Sequence, residues 1–341
     1  MGIIRKVENI LVTGGAGFIG SAFVRYLLNQ ENFQGKVVNL DLLTYAANLK
    51  NLASCENDSR YVFVKGDILD TKLVHQICDK YFIDTIVHFA AESHVDRSIQ
   101  VPYHFLKTNI EGTYSLLEVV RNKRHIHFHH ISTDEVYGSL DNGGYFSEIS
   151  PYRPNSPYAA SKAASDHLVR SYAKTYNIST TMSHSSNNYG PCQHEEKLIP
   201  LMIKNCLEKK PLPIYGKGEN IRDWIYVDDH VEAIWLILQK AKEGEVYNIG
   251  GSSEMRNLDL ILLMQDILAQ EMGENIESYR SLISYVQDRP GHDLRYAIDA
   301  TKIKEDLGWK PRFALKEGLI QTVKWYKQEY SQTLMKEALP S

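Results

Sequence analysis

Asn9-Ile10-Leu11-Val12-Thr13-Gly14-Gly15-Ala16-Gly17-Phe18-Ile19-Gly20 decides the fold of this chain. The apolar run 9–13 reads as a short buried strand, and the glycines at 14, 17 and 20 turn it into an amphipathic helix expected to run to about residue 30. The early glycines allow a tight turn and close backbone approach to a pyrophosphate at the helix N-terminus. The last allows helix-on-strand packing. Gly14, Gly17, Phe18, Ile19 and Gly20 are therefore the first candidate cofactor residues. In isolation the motif is also compatible with a glycine-rich loop that binds nothing.

Its context favours the cofactor. Residues 36–41 read as a second strand ending in Asp41, about twenty residues past Gly20. A carboxylate there accepts hydrogen bonds from an adenosine ribose and repels a 2′-phosphate, which predicts NAD rather than NADP. Strands follow at 61–65 and 85–89, the first leading to Gly66, Asp67 and Ile68 near the adenine edge. The second leads to Ala90, Ala91, Glu92, Ser93 and His94, where small residues let backbone lie against a ligand. A helix is expected over 105–121 with Thr108 and Asn109 near its start. Strands and helices alternating in this way predict an α/β fold, a doubly wound parallel sheet of the Rossmann type. The ligand belongs over the C-terminal strand edges, at the switch in strand order.

A further apolar run, 128–131, delivers Ser132-Thr133-Asp134-Glu135-Val136-Tyr137-Gly138 to that edge. Downstream, Ser156 suits an N-cap and Pro157 a first helical position, so Tyr158 and Lys162 fall one turn apart on one helical face. A phenol with an ordinary pKa of about 10 is a poor base unless a cation stabilises the phenolate, and Lys162 is placed to do so. Adjacent carboxyls at 134 and 135 tend to split their pKa values, one charged and one neutral.

The 341 residues, 43% hydrophobic and 23% charged, suit an ordinary globular protein of one large α/β domain with a smaller lobe. The net charge of −4 argues against a nucleic-acid surface. No apolar run is long enough to cross a membrane, and the N-terminus lacks a signal-peptide layout. Cys55, Cys78, Cys192 and Cys206 have no paired spacing, which predicts reduced thiols and a cytoplasmic setting. Histidines 125, 127, 129 and 130 do not read as a metal site, since alternate strand residues face opposite sides and no carboxylate or cysteine completes a known spacing.

The second half begins with a strand at 179–183 and the turn-rich stretch from Ser185 to Pro191. Residues 210–218 read as a proline- and glycine-broken hairpin carrying Tyr215, which can stack on a base. Arg222 has the planar fork that matches a diphosphate. Residues 246–251 return as a strand, 288–293 form a loop, and helices are expected at 302–307 and 315–330. The division is a dinucleotide-binding domain over 1–184 and a mainly substrate-binding lobe over 185–341, with segments returning to the sheet.

TGGAGFIG (13–20) and YAASK (158–162) resemble the extended short-chain dehydrogenase/reductase family, in which Tyr removes a hydroxyl proton, hydride passes to NAD and a Ser or Thr, here Thr133, binds the same oxygen. STDEVYG, SNNYGP, EKLIPL, PLPIYGKG, NIRDW and DRPGHD together resemble the dTDP-glucose 4,6-dehydratases, over about residues 9–330. That resemblance implies Asp134 as acid and Glu135 as base in an elimination across C5 and C6 of dTDP-glucose, on the way to rhamnose-type deoxysugars. It implies cofactor contacts at Phe18, Ile19, Asp41, Leu42, Leu43, Thr44, Asp67, Ile68, Ala90, Ala91, Glu92, Ser93, Thr108, Tyr158, Lys162 and Asn188. It implies substrate contacts at Ser93, Thr133, Asn187, Lys197, Leu198, Pro213, Ile214, Tyr215, Arg222, Asn257, Asp288, Arg289, Pro290, Gly291 and His292, and a homodimer through the helices carrying Thr108 and Tyr158. The chain departs from the pattern at Met182-Ser-His184-Ser185 and at Cys192-Gln-His194-Glu195, both expected near the cofactor–substrate boundary. A UDP-sugar epimerase or decarboxylase would share the fold and the Tyr/Lys pair but leave Asp134-Glu135 without a task. A non-catalytic NAD(H) sensor would need neither Tyr158 nor Lys162.

Overall fold

The computed structural model describes residues 5–141 and 143–337. Strands β1 (Ile10–Thr13), β2 (Val37–Asp41), β3 (Tyr61–Lys65), β4 (Thr85–His88), β5 (His127–Thr133) and β6 (Thr180–Ser185) alternate with helices through the first half. The second half adds β7 (Asn187–Tyr189), β8 (Leu212–Tyr215), β9 (Ile221–Tyr226), β10 (Val246–Ile249), β11 (Glu254–Arg256) and β12 (Ile283–Val286). Seven of these form one parallel sheet in the order β10-β6-β5-β4-β1-β2-β3. Strand order reverses between β1 and β4, which opens the crevice where ligands of such sheets bind. As expected, 246–249 returns to this sheet from the second half.

Both faces are covered, so strands such as β1, β2, β4, β5 and β6 are buried along their whole length rather than at alternate residues. One face packs the helices Phe18–Leu28 and Val227–Lys240, through Val24, Leu27, Val231, Ile234 and Trp235. The other packs Thr71–Tyr81 and Gly112–Asn122, through Ile77, Leu116 and Val120. A third core joins Met202, Trp224, Leu260, Met264 and Leu319 around the small sheet β11-β9-β7.

The expected hairpin at 210–218 is not one. Residues 212–215 form β8, and its partner is β12, parallel and far along the chain, with Leu212 opposite Ile283. β9, which a hairpin would have paired with β8, instead lies between β7 and β11. A parallel pair needs a long connection, and no local signal reveals it. The helix expected over 105–121 starts earlier, with Pro102 at its first position, and its segment Leu106–Glu111 has π-helical bonding. That wide turn sets Asn109 inward, where its amide bridges the Glu92 backbone and Ser161 Oγ (2.8 Å). The terminal helices span Thr301–Leu307 and Leu315–Glu337.

The glycine motif is tight for a packing reason. A Cβ on Gly20 would sit 2.3 Å from the Gly14 carbonyl oxygen, and one on Gly14, already at φ +70°, 2.7 Å from the Ala90 backbone. Gly20→Val is expected to destabilise the protein by roughly 2 kcal/mol or more through this overpacking, read as a lowered urea midpoint with an unchanged slope.

Candidate active site

Two connected cavities meet at the C-terminal edge of the sheet. The larger, about 490 Å³, runs from the glycine turn past Asp41, Asp67 and Thr108 to Thr133, Tyr158 and Lys162. All the expected cofactor residues line it except Leu43, which takes a left-handed conformation (φ +59°) and turns its amide onto Asp41 Oδ1 (2.8 Å). The smaller cavity, about 220 Å³, lies between the main sheet and the small lobe. Ser93, Asn187, Lys197, Leu198, Pro213, Ile214, Tyr215, Arg222, Asn257, Arg289 and His292 line it as expected. Asp288, Pro290 and Gly291 do not. Asp288 instead accepts from His292 Nδ1 (2.7 Å) and so orients a ring that does.

The larger cavity is built for a dinucleotide. The helix Phe18–Leu28 is capped by Gly17 with no side-chain hydrogen bond and has no acidic residue in its first turn, so its leading N–H groups are free for an anion. A Cβ on Gly17 would meet only the Gly14 carbonyl, at 3.3 Å, because its other side is open. Asp41 accepts from Ala16 N (2.9 Å) as well as Leu43 N, which fixes its carboxylate at the end of β2. These residues fit NAD.

The reacting groups come from two segments. β5 ends at Thr133, whose hydroxyl accepts from Glu135 N (3.3 Å) and starts the short turn Asp134–Tyr137. The helix Pro157–Tyr176 starts as expected, with Ser156 Oγ accepting from Ala159 N (3.1 Å), and brings Tyr158 and Lys162 alongside. Tyr158 is hydrogen-bonded to Thr133. Lys162 donates to the Ile131 carbonyl (2.7 Å) and lies 3.5 Å from His130 Nε2. Its ammonium is thus held by β5.

Electrostatics separates the two carboxyls. Asp134 lines neither cavity. It is buried, one oxygen has no hydrogen-bond partner, and burial with the neighbouring Glu135 and Asp223 pushes its pKa well above the carboxylate range. Burial thus favours the protonated form of Asp134. Glu135 lines both cavities; burial raises its pKa too, but Arg222, Lys197 and Arg289 oppose this and favour the carboxylate. Burial and the Glu135 charge push the Tyr158 phenol upward, against the Thr133 hydrogen bond. Burial brings Lys162 down to about 8, against the pull of Asp166.

Arg222 is more committed than its motif implied. Three of its N–H contacts go to the carbonyls of Ile221, Asp293 and Leu294, which fix its plane 4.1 Å from the Tyr296 ring. The sequence reading missed Glu196, which lines both cavities and accepts from Tyr45 Oη (3.0 Å). It also missed Asp166, although 158, 162 and 166 follow one helical stripe. The histidines of β5 are spoken for: His127 and His129 bond hydroxyls of β6 and its lead-in, and His130 faces Asp166 at 3.2 Å. Of the two departures, His194 lines the larger cavity, whereas His184 lines neither and is buried.

Similarity to known proteins agrees with this geometry. The model of the GDP-mannose 4,6 dehydratase family matches residues 11–322. A dTDP-glucose 4,6-dehydratase of Haemophilus influenzae is 53% identical over 331 residues, covering 93% of this chain and 97% of its own. The chain belongs to the dTDP-glucose 4,6-dehydratase family. Among solved structures, a dTDP-glucose 4,6-dehydratase of Streptomyces venezuelae with NAD bound superposes with a TM-score of 0.87 at 45% identity, covering 95% of this chain and 98% of that one. One from Bacillus anthracis, also in complex with NAD, gives 0.86 at 44%, with the same coverage.

The raised pKa of Asp134 has a stability signature. The folded state holds a proton that the unfolded chain releases near the ordinary value of 3.8, so stability falls as pH rises above that value. Asp134→Asn removes the penalty: its stability relative to wild type should increase steadily between acid and neutral pH in denaturant titrations. A difference independent of pH would mean the native carboxyl is ionised.

Proposed function

We propose that this chain is a dTDP-glucose 4,6-dehydratase whose acid and base are Asp134 and Glu135. The observation that carries the reading is the buried Asp134 directly preceding Glu135, which lines both cavities and faces Arg222, Lys197 and Arg289. The turn Gly14–Gly20 with Asp41 and Asp67 would hold NAD, which would supply a hydride acceptor for C4 that is regenerated by return of the hydride to C6. The nucleotide diphosphate of the substrate lies toward Arg222, Lys197 and Arg289, and the base toward Tyr215.

Thr133 and Tyr158 hold the C4 hydroxyl, and Tyr158 takes its proton. Lys162 and the positive cofactor ring offset the burial that otherwise keeps the phenol protonated. Once C4 is a ketone the C5 proton is acidic. Glu135 removes it, and Asp134, reaching the site past the Thr133 hydroxyl, gives its proton to the C6 hydroxyl, which leaves as water. Glu135 then returns a proton to C5. Tyr158 has gained the proton Asp134 lost, and exchange with solvent restores both. The product is dTDP-4-keto-6-deoxyglucose, a precursor of rhamnose-type deoxysugars.

We divide the chain into a cofactor half (1–184) and a mainly substrate half (185–341), supported by the larger cavity being lined mostly from the first half and the smaller mostly from the second. No described helix is long and apolar enough to cross a membrane, and we place the enzyme in the cytoplasm. A homodimer is supported by exposed Val101, Tyr103, Leu106 and Tyr114 along one helical segment near Thr108.

Glu135→Gln should still oxidise C4, so reduced-nicotinamide absorbance appears and persists, while water loss slows by roughly 10²–10⁴-fold. Tyr158→Phe should fail earlier, with no such absorbance. Normal turnover by Glu135→Gln would remove it as the base.

A further inference from the structure

The cofactor cavity is walled from both halves of the chain. Thr44, Ala46 and Ala47, in the loop after β2, line it from the first half, and His194, Glu196 and Lys197 line it from the second. Tyr45 sits among those loop residues but outside the wall, and its hydroxyl donates to Glu196 Oε1 (3.0 Å). The two walls are thereby joined to each other on the outer side of the cavity, and the joined chain bounds the space a dinucleotide fills.

Several weaker contacts converge on the same junction. Glu196 Oε2 is buried without a hydrogen-bond partner and faces Arg97 Nε at 3.5 Å and the rings of His94 and His194 at 3.9 Å. The Arg97 guanidinium lies over the Tyr45 ring, 3.6 Å from its centroid, and His194 meets that ring edge-on at 5.5 Å. His194 Nδ1 accepts from Glu196 N (3.3 Å), which folds the segment back on itself. One residue further, Lys197 Nζ donates to the Ser93 carbonyl (2.6 Å). The other end of the segment is tied to the second half: Gln193 Nε2 donates to the Asn188 carbonyl (2.9 Å), and the Tyr326 hydroxyl donates to the Gln193 carbonyl. Arg97 is half exposed, so its ion pair contributes little. The Tyr45 hydroxyl, donating to a carboxylate, makes the stronger bond.

We propose that Tyr45 is a positioning residue that latches segment 193–197 over bound NAD, so that the cofactor leaves only when the Tyr45–Glu196 bond opens. The latch rests on NAD filling the larger cavity and is independent of which sugar nucleotide fills the smaller one. The dehydratase reading gives it a purpose. A hydride taken from C4 and returned to C6 of the same sugar requires the reduced cofactor to stay for the interval between. A latch made of protein–protein contacts holds equally well before and after the nicotinamide ring loses its positive charge.

Exchange of the cofactor tests this without any sugar. Protein loaded with deuterium-labelled NAD is mixed with excess unlabelled NAD, and the label still bound is followed by mass spectrometry. Tyr45→Phe keeps the ring against Arg97 and His194 and should exchange roughly 10-fold faster than wild type, the scale of one hydrogen bond to a charged group. Tyr45→Ala should exchange faster still. The affinity of Tyr45→Phe for dTDP, measured by calorimetry, should stay within about 2-fold of wild type, since only a generally loosened fold weakens both ligands. Exchange by both variants within about 2-fold of wild type overturns the latch, as does wild-type exchange that is complete on mixing or a parallel fall in dTDP affinity. With dTDP-glucose, Tyr45→Ala should release NADH and slow with successive turnovers unless NAD is added. A wild type that neither binds dTDP nor turns over dTDP-glucose would reject the dehydratase reading and leave the exchange result standing.

Discussion

Two carboxyls on consecutive residues are held out of water at the end of β5, and much of the molecule answers that constraint. Ionising both there is disfavoured, since burial raises the pKa of each and the Glu135 charge raises that of Asp134 further. The fold resolves the conflict by position. Asp134 turns under the sheet edge among Thr133, Asp223 and Glu135, where burial and the neighbouring carboxylates favour its protonated form. Glu135 turns out into the joint cavity, where Arg222, Lys197 and Arg289 from three different second-half segments face it. These second-half cations oppose the effect of burial at Glu135.

The same economy appears beneath the helix of Tyr158. Lys162 is buried, bonded to the Ile131 carbonyl, and has the Asp166 carboxylate as its nearby counter-charge. Asp166 in turn is bounded by His130, His184 and Ser132. Buried ion pairs of this kind are poor sources of stability but restrict the geometry of the groups they join, even though Asp166 Oδ1 and His130 Nδ1 lack a hydrogen-bond partner here. Here the geometry held is the distance between the turn of Asp134 and Glu135 and the helix of Tyr158 and Lys162.

Much of this was legible in the sequence. The glycine spacing, Asp41 at a strand end, the Ser156 cap with Pro157, and Tyr158 one turn from Lys162 are local patterns with local causes, and they read correctly. What escaped was non-local. β8 pairs with β12 across some seventy residues, so a stretch punctuated like a hairpin was not one. The diphosphate reading of Arg222 did not foresee that backbone carbonyls from 293 and 294 share its guanidinium. Asp166 continues the stripe of 158 and 162, yet its importance emerges only when two histidines from different strands converge on it. His184 was noticed as a departure, but its place beneath the site rather than at the ligand boundary depends on the β5-β6-β10 register.

The central claim is that an oxidation at C4 is coupled, in one site, to loss of water across C5 and C6. Incubating the protein with dTDP-glucose in deuterated water and following the sugar nucleotide by mass spectrometry and proton NMR tests it most directly. The account predicts a product lighter by one water, one solvent deuterium at C5, and no net formation of NADH. A product of unchanged mass with an inverted C4 centre would contradict it, and would leave Asp134 and Glu135 without the chemistry assigned to them.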